Sequence, residues 1–136
     1  MRASMRSILI TSTALLTVFC LTFVGAIAQQ SGIKRTDLQT IDFPGPDYVT
    51  ESFLVTIAPQ ADVKRHTHPG VEMGYLISGR GTLSIEGNPE RTVKAGDSWA
   101  IPAGTPHALR NAGNQPEQIV VTYVVKKNEP LASSVP

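Results

Sequence analysis

From residue 52 onward, apolar and β-branched side chains recur in short runs broken by Gly, Pro and Asn, the pattern of strands joined by tight turns. The spacing predicts strands over 52–58, 63–66, 72–77, 82–86, 91–94, 98–101, 107–110 and 118–125. Turns are marked by Pro69-Gly70, Ser78-Gly79-Arg80-Gly81, Gly87-Asn88-Pro89, Ala95-Gly96-Asp97, 102–106 and 111–114. No window between Ser52 and Val125 carries a sustained apolar stripe at helical spacing, so the pattern predicts an all-β barrel or sandwich. Strand alternation puts Glu72, Gly74 and Leu76 on one side of the third strand and Met73, Tyr75 and Ile77 on the other.

The flanks differ in character. Residues 29–51 hold the rigid turn Phe43-Pro44-Gly45-Pro46 between extended pieces and read as an N-terminal extended arm; 126–136 read as a flexible C-terminal tail. Ahead of the arm, Arg2 and Arg6 precede an uncharged apolar stretch ending in Ala26-Ile27-Ala28, the layout of a signal peptide over 1–28 cleaved before Gln29. Cleavage would place the protein in the periplasm or outside the cell and confine membrane contact to the signal segment. The competing reading is an uncleaved anchor, since 8–28 is nearly long enough to span a bilayer. Cys20 as a lipid acceptor is disfavoured, because Thr17-Val18-Phe19 lacks the small residues such a site needs.

Length and charge then narrow the function. At 136 residues with 12 Lys and Arg against 11 Asp and Glu, the chain fits one domain, 52–125, and any site must lie within it. Its basic residues are scattered rather than striped, which argues against a nucleic-acid partner. Cys20 leaves with the signal segment, so the mature chain offers neither a disulfide nor a thiolate. No phosphate-cradling Gly-x-x-x-x-Gly-Lys loop is present.

Candidate chemistry sits in the histidines. His66 and His68, two apart, can present both imidazoles on one strand face; Pro69-Gly70 lets the chain turn, and Glu72 opens the next strand beside them. His107, after the 102–106 turn, can close the site from elsewhere. An isolated His-x-His arises by chance in many sequences. Here, though, all three histidines of the mature chain fall in two Gly/Pro-framed segments, and three imidazoles with one carboxylate suit a divalent first-row ion. A Ser-His-Asp arrangement would have to take one of these histidines.

At these residues the sequence resembles the cupin superfamily, specifically small single-domain bacterial cupins. The first cupin motif is matched at His66, His68, Glu72 and Gly79, and the second at Gly96, Pro102, Gly104, His107 and Asn111, with 16 residues between Gly79 and Gly96. One departure is visible: Gln60 stands where a glycine often lies. The resemblance implies a double-stranded β-helix, or jelly-roll barrel, with His66, His68, Glu72 and His107 ligating one divalent transition metal (Mn, Fe, Ni, Cu or Zn).

Such a site would keep positions open for water, dioxygen or a small-molecule substrate. Members of the family include dioxygenases, decarboxylases, isomerases, lyases and binding modules. The expectation is a small metalloenzyme, an oxidoreductase of dioxygenase type acting on a small oxygenated organic compound, with Glu72 as the one nameable catalytic side chain. The alternatives are a sugar-like binding module without turnover and a lyase or isomerase for a carbohydrate-derived acid, the latter depending on an Arg or Lys reaching the pocket. Arg80 and Arg110 are candidates for an anionic substrate, and Tyr48, Tyr75, Trp99 and Tyr123 for substrate platforms, each against ordinary packing or solvation. A homodimer pairing through sheets is the default.

Overall fold

A computed structural model describes residues 31–136; residues 1–28, read as a signal peptide, lie outside the described residues. The described residues form ten strands and no helix: β1 Ile33–Asp42, β2 Tyr48–Ile57, β3 Asp62–Thr67, β4 Gly70–Ser78, β5 Arg80–Ile85, β6 Arg91–Lys94, β7 Ser98–Ile101, β8 His107–Arg110, β9 Glu117–Lys126 and β10 Ser133–Ser134. They build two five-stranded sheets of order β1-β2-β9-β4-β7 and β10-β3-β8-β5-β6, with antiparallel pairing throughout. This is the jelly-roll barrel the motifs imply.

Alternation decides the core. Phe53, Val55 and Ile57 of β2, Leu76 of β4, Leu83 of β5, Val93 of β6, and Ile119, Val121, Tyr123 and Val125 of β9 all point between the sheets and are buried. Each such side chain contributes about 1.5–3 kcal/mol on leaving water. In β4 the inward set is Gly70, Glu72, Gly74 and Leu76, and the outward set is Val71, Met73, Tyr75 and Ile77.

Two elements were not apparent from the pattern. The stretch 29–51, read as an arm, contains β1 and the start of β2. β1 is an edge strand exposed along nearly its whole length, and a bulge between Asp37 and Gln39 interrupts its register with β2, so its apolar residues never alternate. The segment 126–136, read as a tail, is tied back onto the barrel: Ser133 and Ser134 pair with Thr67 and His66 of β3. Gln60, the departure from the motif, adopts a φ of 62°, the left-handed region that glycine enters freely. Its side-chain amide donates to the carbonyls of Ala112 and Gly113 at 2.9 and 2.8 Å, interactions that favour that conformation.

Asn111, the last residue of the second motif, is fully buried. Its amide donates to the carbonyls of Ile57, Ala58 and Gln115, and its side-chain oxygen accepts from Gly113 N–H. It therefore fastens the loop after β8 to the end of β2. At the foot of β9, Glu117 has no exposed surface, and neither carboxylate oxygen has a hydrogen-bond partner among the described residues. Gly81 leaves room for it, since a Cβ there would lie 2.6 Å from Glu117 Oε1.

Candidate metal centre

Three strands and one turn bring the predicted ligands together. His66 lies on β3 in register with His107, the first residue of β8. His68 falls just past the end of β3, where Gly104 N–H donates to its carbonyl at 3.0 Å, clipping the 102–106 turn to the first motif. Glu72 is the third residue of β4, facing inward opposite Ile101 of β7 and Tyr123 of β9. One potential ligand atom from each of His66, His68, Glu72 and His107 lies within 4.8 Å of all the others.

The hydrogen bonds around the rings determine which nitrogens face the centre. Nδ1 of His66, His68 and His107 lies against the carbonyls of Lys64, Leu131 and Thr105 at 2.7, 2.5 and 2.9 Å. A carbonyl only accepts, so each Nδ1 must carry the proton, and a neutral ring then presents a bare lone pair at Nε2. Those lone pairs converge: His66 Nε2 is 3.1 Å from His68 Nε2, and Glu72 Oε2 is 2.9 Å from His68 Nε2 and 3.2 Å from His107 Nε2. Acceptors facing one another at such distances repel unless a proton or a cation lies between them.

Electrostatics favours the cation. Burial, then the charge of His107, lowers the pKa of His66 from 6.5 to about 4, which keeps the ring neutral and its lone pair available. Burial pushes the Glu72 carboxyl up, but His107 and His68, when their Nε2 atoms carry protons in the absence of an ion, outweigh it and hold the group well below the usual carboxylate range; a cation in place of those protons would supply the same positive charge. Three neutral nitrogens and one fixed negative charge match a divalent first-row ion. The residues present therefore fit the metal that the motifs imply.

Surrounding groups fix the donors. Trp99 Nε1–H donates to Glu72 Oε1 at 3.1 Å, leaving Oε2 for the centre. This approach requires Gly74, paired with Trp99, because a Cβ at 74 would lie 2.3 Å from the indole ring. Tyr123 stacks obliquely on His68, with centroids 4.6 Å apart; burial first, then the Glu72 charge, raises its hydroxyl above the ordinary tyrosine range. Trp99 and Tyr123 are thus buried supports of the site, whereas Tyr48 and Tyr75 are exposed outside it.

His66, Glu72 and His107 border a cavity of about 60 Å³ between the sheets, lined by apolar side chains such as Val55, Leu83 and Val121, with Arg35 of β1 among its lining residues. The Arg35 guanidinium lies over the Phe53 ring, 5.1 Å from its centroid. Arg80 and Arg110 are exposed and do not line this cavity. Arg35 escaped notice in the sequence because it sits in the segment read as an arm.

The cupin-domain family pattern matches residues 53–123. The chain belongs to the cupin family. Among curated relatives of this cupin, barley (Hordeum vulgare) oxalate oxidase 1 is 29% identical over 76% of the chain and 56% of its own length. An uncharacterised protein of Methanocaldococcus jannaschii is 29% identical over 69% of the chain and 74% of its own length. The chain thus spans little more than half of the barley enzyme. Among solved structures, DMSP lyase DddQ from Ruegeria pomeroyi superposes with a TM-score of 0.62 at 23% identity, covering 76% of the chain and 51% of the neighbour. That likeness establishes the fold alone.

Proposed function

We propose that this cupin is a metal-dependent oxidoreductase of dioxygenase type acting on a small oxygenated organic acid. The observation that carries the reading is the convergence of three Nε2 lone pairs and a fixed carboxylate on a small apolar cavity bordered by one cation, Arg35. A bound ion would supply Lewis acidity and, for a redox-active metal, electron transfer to and from dioxygen. The chain's own part is to hold and orient. His66, His68, Glu72 and His107 supply the donors, Trp99 keeps Glu72 aimed, and apolar walls limit water. Arg35 offers a guanidinium to a carboxylate. The cavity beside the donors is small, which favours a compact substrate. The similarity to oxalate oxidase is consistent with such a compound.

A second reading, lyase or isomerase action on a small acid, is favoured by one observation: the Tyr123 hydroxyl is buried beside Glu72 on the cavity wall, where a proton donor would be needed. Signal cleavage before Gln29 and residence in the periplasm or outside the cell belong to the same proposal, as does a homodimer. The outward face of β4 supports the dimer, with Val71, Met73, Tyr75 and Ile77 at 43%, 61%, 50% and 45% exposure, an apolar strip that a second copy would cover.

The test is to strip the protein, reload it separately with Mn, Fe, Co, Ni, Cu and Zn, and screen oxalate and small hydroxy and keto acids with and without dioxygen. Dioxygen consumption coupled to substrate loss supports the oxidoreductase. Equal turnover without dioxygen moves the assignment to the lyase or isomerase. Saturable binding with no turnover under either condition leaves a binding module. Intact mass and sedimentation would check cleavage and the dimer.

A further inference from the structure

The three imidazoles are not oriented in the same way. His66 and His107 each donate Nδ1–H to the carbonyl two residues earlier, Lys64 and Thr105, so their orientation comes with their own segments. His68 instead donates to Leu131, 63 residues further along the chain. That carbonyl lies in the segment leaving β9. Lys126 N–H donates to Pro69 O, and Lys127 N–H to Asp47 O at 2.8 Å. Leu131 then packs its side chain against the core, Ser133 and Ser134 pair with β3, and Val135 N–H donates to Arg65 O at 3.3 Å.

We propose that this C-terminal segment is a working part of the metal centre: its docking holds His68 in the ligating tautomer, and ion binding and docking reinforce each other. The inference rests on the metal assignment above but not on any particular reaction. The physical reason is the outer hydrogen bond. A ligating histidine needs its far nitrogen tied to an acceptor to fix tautomer and ring angle, and loss of such a partner typically costs 10- to 100-fold in metal affinity. Here the partner is carried by a segment held by two paired residues, one apolar side chain and a few backbone hydrogen bonds, the class of structure that opens at low cost. Whatever ion affinity docking adds, the ion must return as docking stability, because the coupling is reciprocal.

The experiment uses cobalt(II) alone as the probe. In the full chain, the backbone amide of Val135 should exchange more slowly with cobalt bound than without it. A chain ending at Lys127, and separately the full-length variant Leu131→Asp, should bind cobalt about 10- to 100-fold more weakly in chelator competition, with an altered visible spectrum as His68 reorients. A segment that serves stability only would lower the melting temperature while leaving cobalt affinity and spectrum unchanged, and that result overturns the proposal. If the shortened chain does not fold, exchange in the intact protein decides: equal Val135 exchange with and without cobalt overturns it as well. Neither measurement depends on turnover, so failure of the proposed enzymatic function leaves this test intact.

Discussion

Replacing Glu117 by Gln tests how the far end of the barrel depends on pH. Glu117 lies six residues along β9 from Tyr123, about 20 Å from that end of the strand at 3.3 Å per residue. It is sealed beneath Gly79 and Gly81 with no partner for its oxygens. Burial alone raises its pKa from 4.5 to about 7, so the folded protein holds a proton that the unfolded chain releases. Below about pH 4.5 both states are protonated and the full contribution to stability is present. From there to about pH 7 it is progressively lost, and above pH 7 the fold carries a buried charge. The shift corresponds to about 3 kcal/mol; local relaxation that admits water on ionisation would reduce the effect to about 2 kcal/mol. Urea unfolding of metal-free protein should therefore show the stability of Glu117→Gln, relative to the parent, rising by about 2 kcal/mol between about pH 4 and about pH 8. A difference that stays flat across that range would refute the reasoning.

Other changes probe the site and its supports. Gly74→Ala drives a methyl group into the Trp99 ring and should cost about 1–3 kcal/mol in thermal unfolding, with weakened metal binding as the indole moves off Glu72. Trp99→Phe keeps most of the ring but loses the Nε1–H donor; it should fold and bind the ion about 10- to 100-fold less tightly by competition titration, and parental affinity would remove Trp99 from the site. Elemental analysis should find about one ion per chain, with less in His66→Ala, His68→Ala, His107→Ala and Glu72→Gln; full occupancy in the His66/His107 double variant would eliminate the centre. Asn111→Leu strands three carbonyls and a backbone N–H and should cost about 3 kcal/mol in urea unfolding, whereas a loss below about 1 kcal/mol would show that water replaces it.

Much of this was legible because the relevant signals are short in range. Eight strands declare themselves through alternation and Gly/Pro punctuation, and the ligand set through spacing within 66–72 and 96–111. What was not legible depends on register between distant strands. Nothing near Trp99 announces Glu72 as its acceptor, and nothing near Leu131 announces His68. Arg35 was hidden because the bulge after Asp37 breaks the alternation that would have marked β1 as a strand. Glu117, following Pro116, looks like a turn charge until β9 carries it beneath Gly79 and Gly81.

The division of the ligands between local and distant chain bears on how the ion acts during folding. His66, His68 and Glu72 occupy one seven-residue stretch, so a denatured chain keeps three donors at close quarters and can chelate an ion before any sheet exists. His107 joins only when β8 pairs with β3, a loop closure across some 40 residues that must first overcome chain entropy. Metal present from the start would load the 66–72 segment early and then favour the long-range pairing that supplies the fourth donor. Because the denatured ensemble also binds, saturating metal should raise the unfolding midpoint by less than native affinity alone implies.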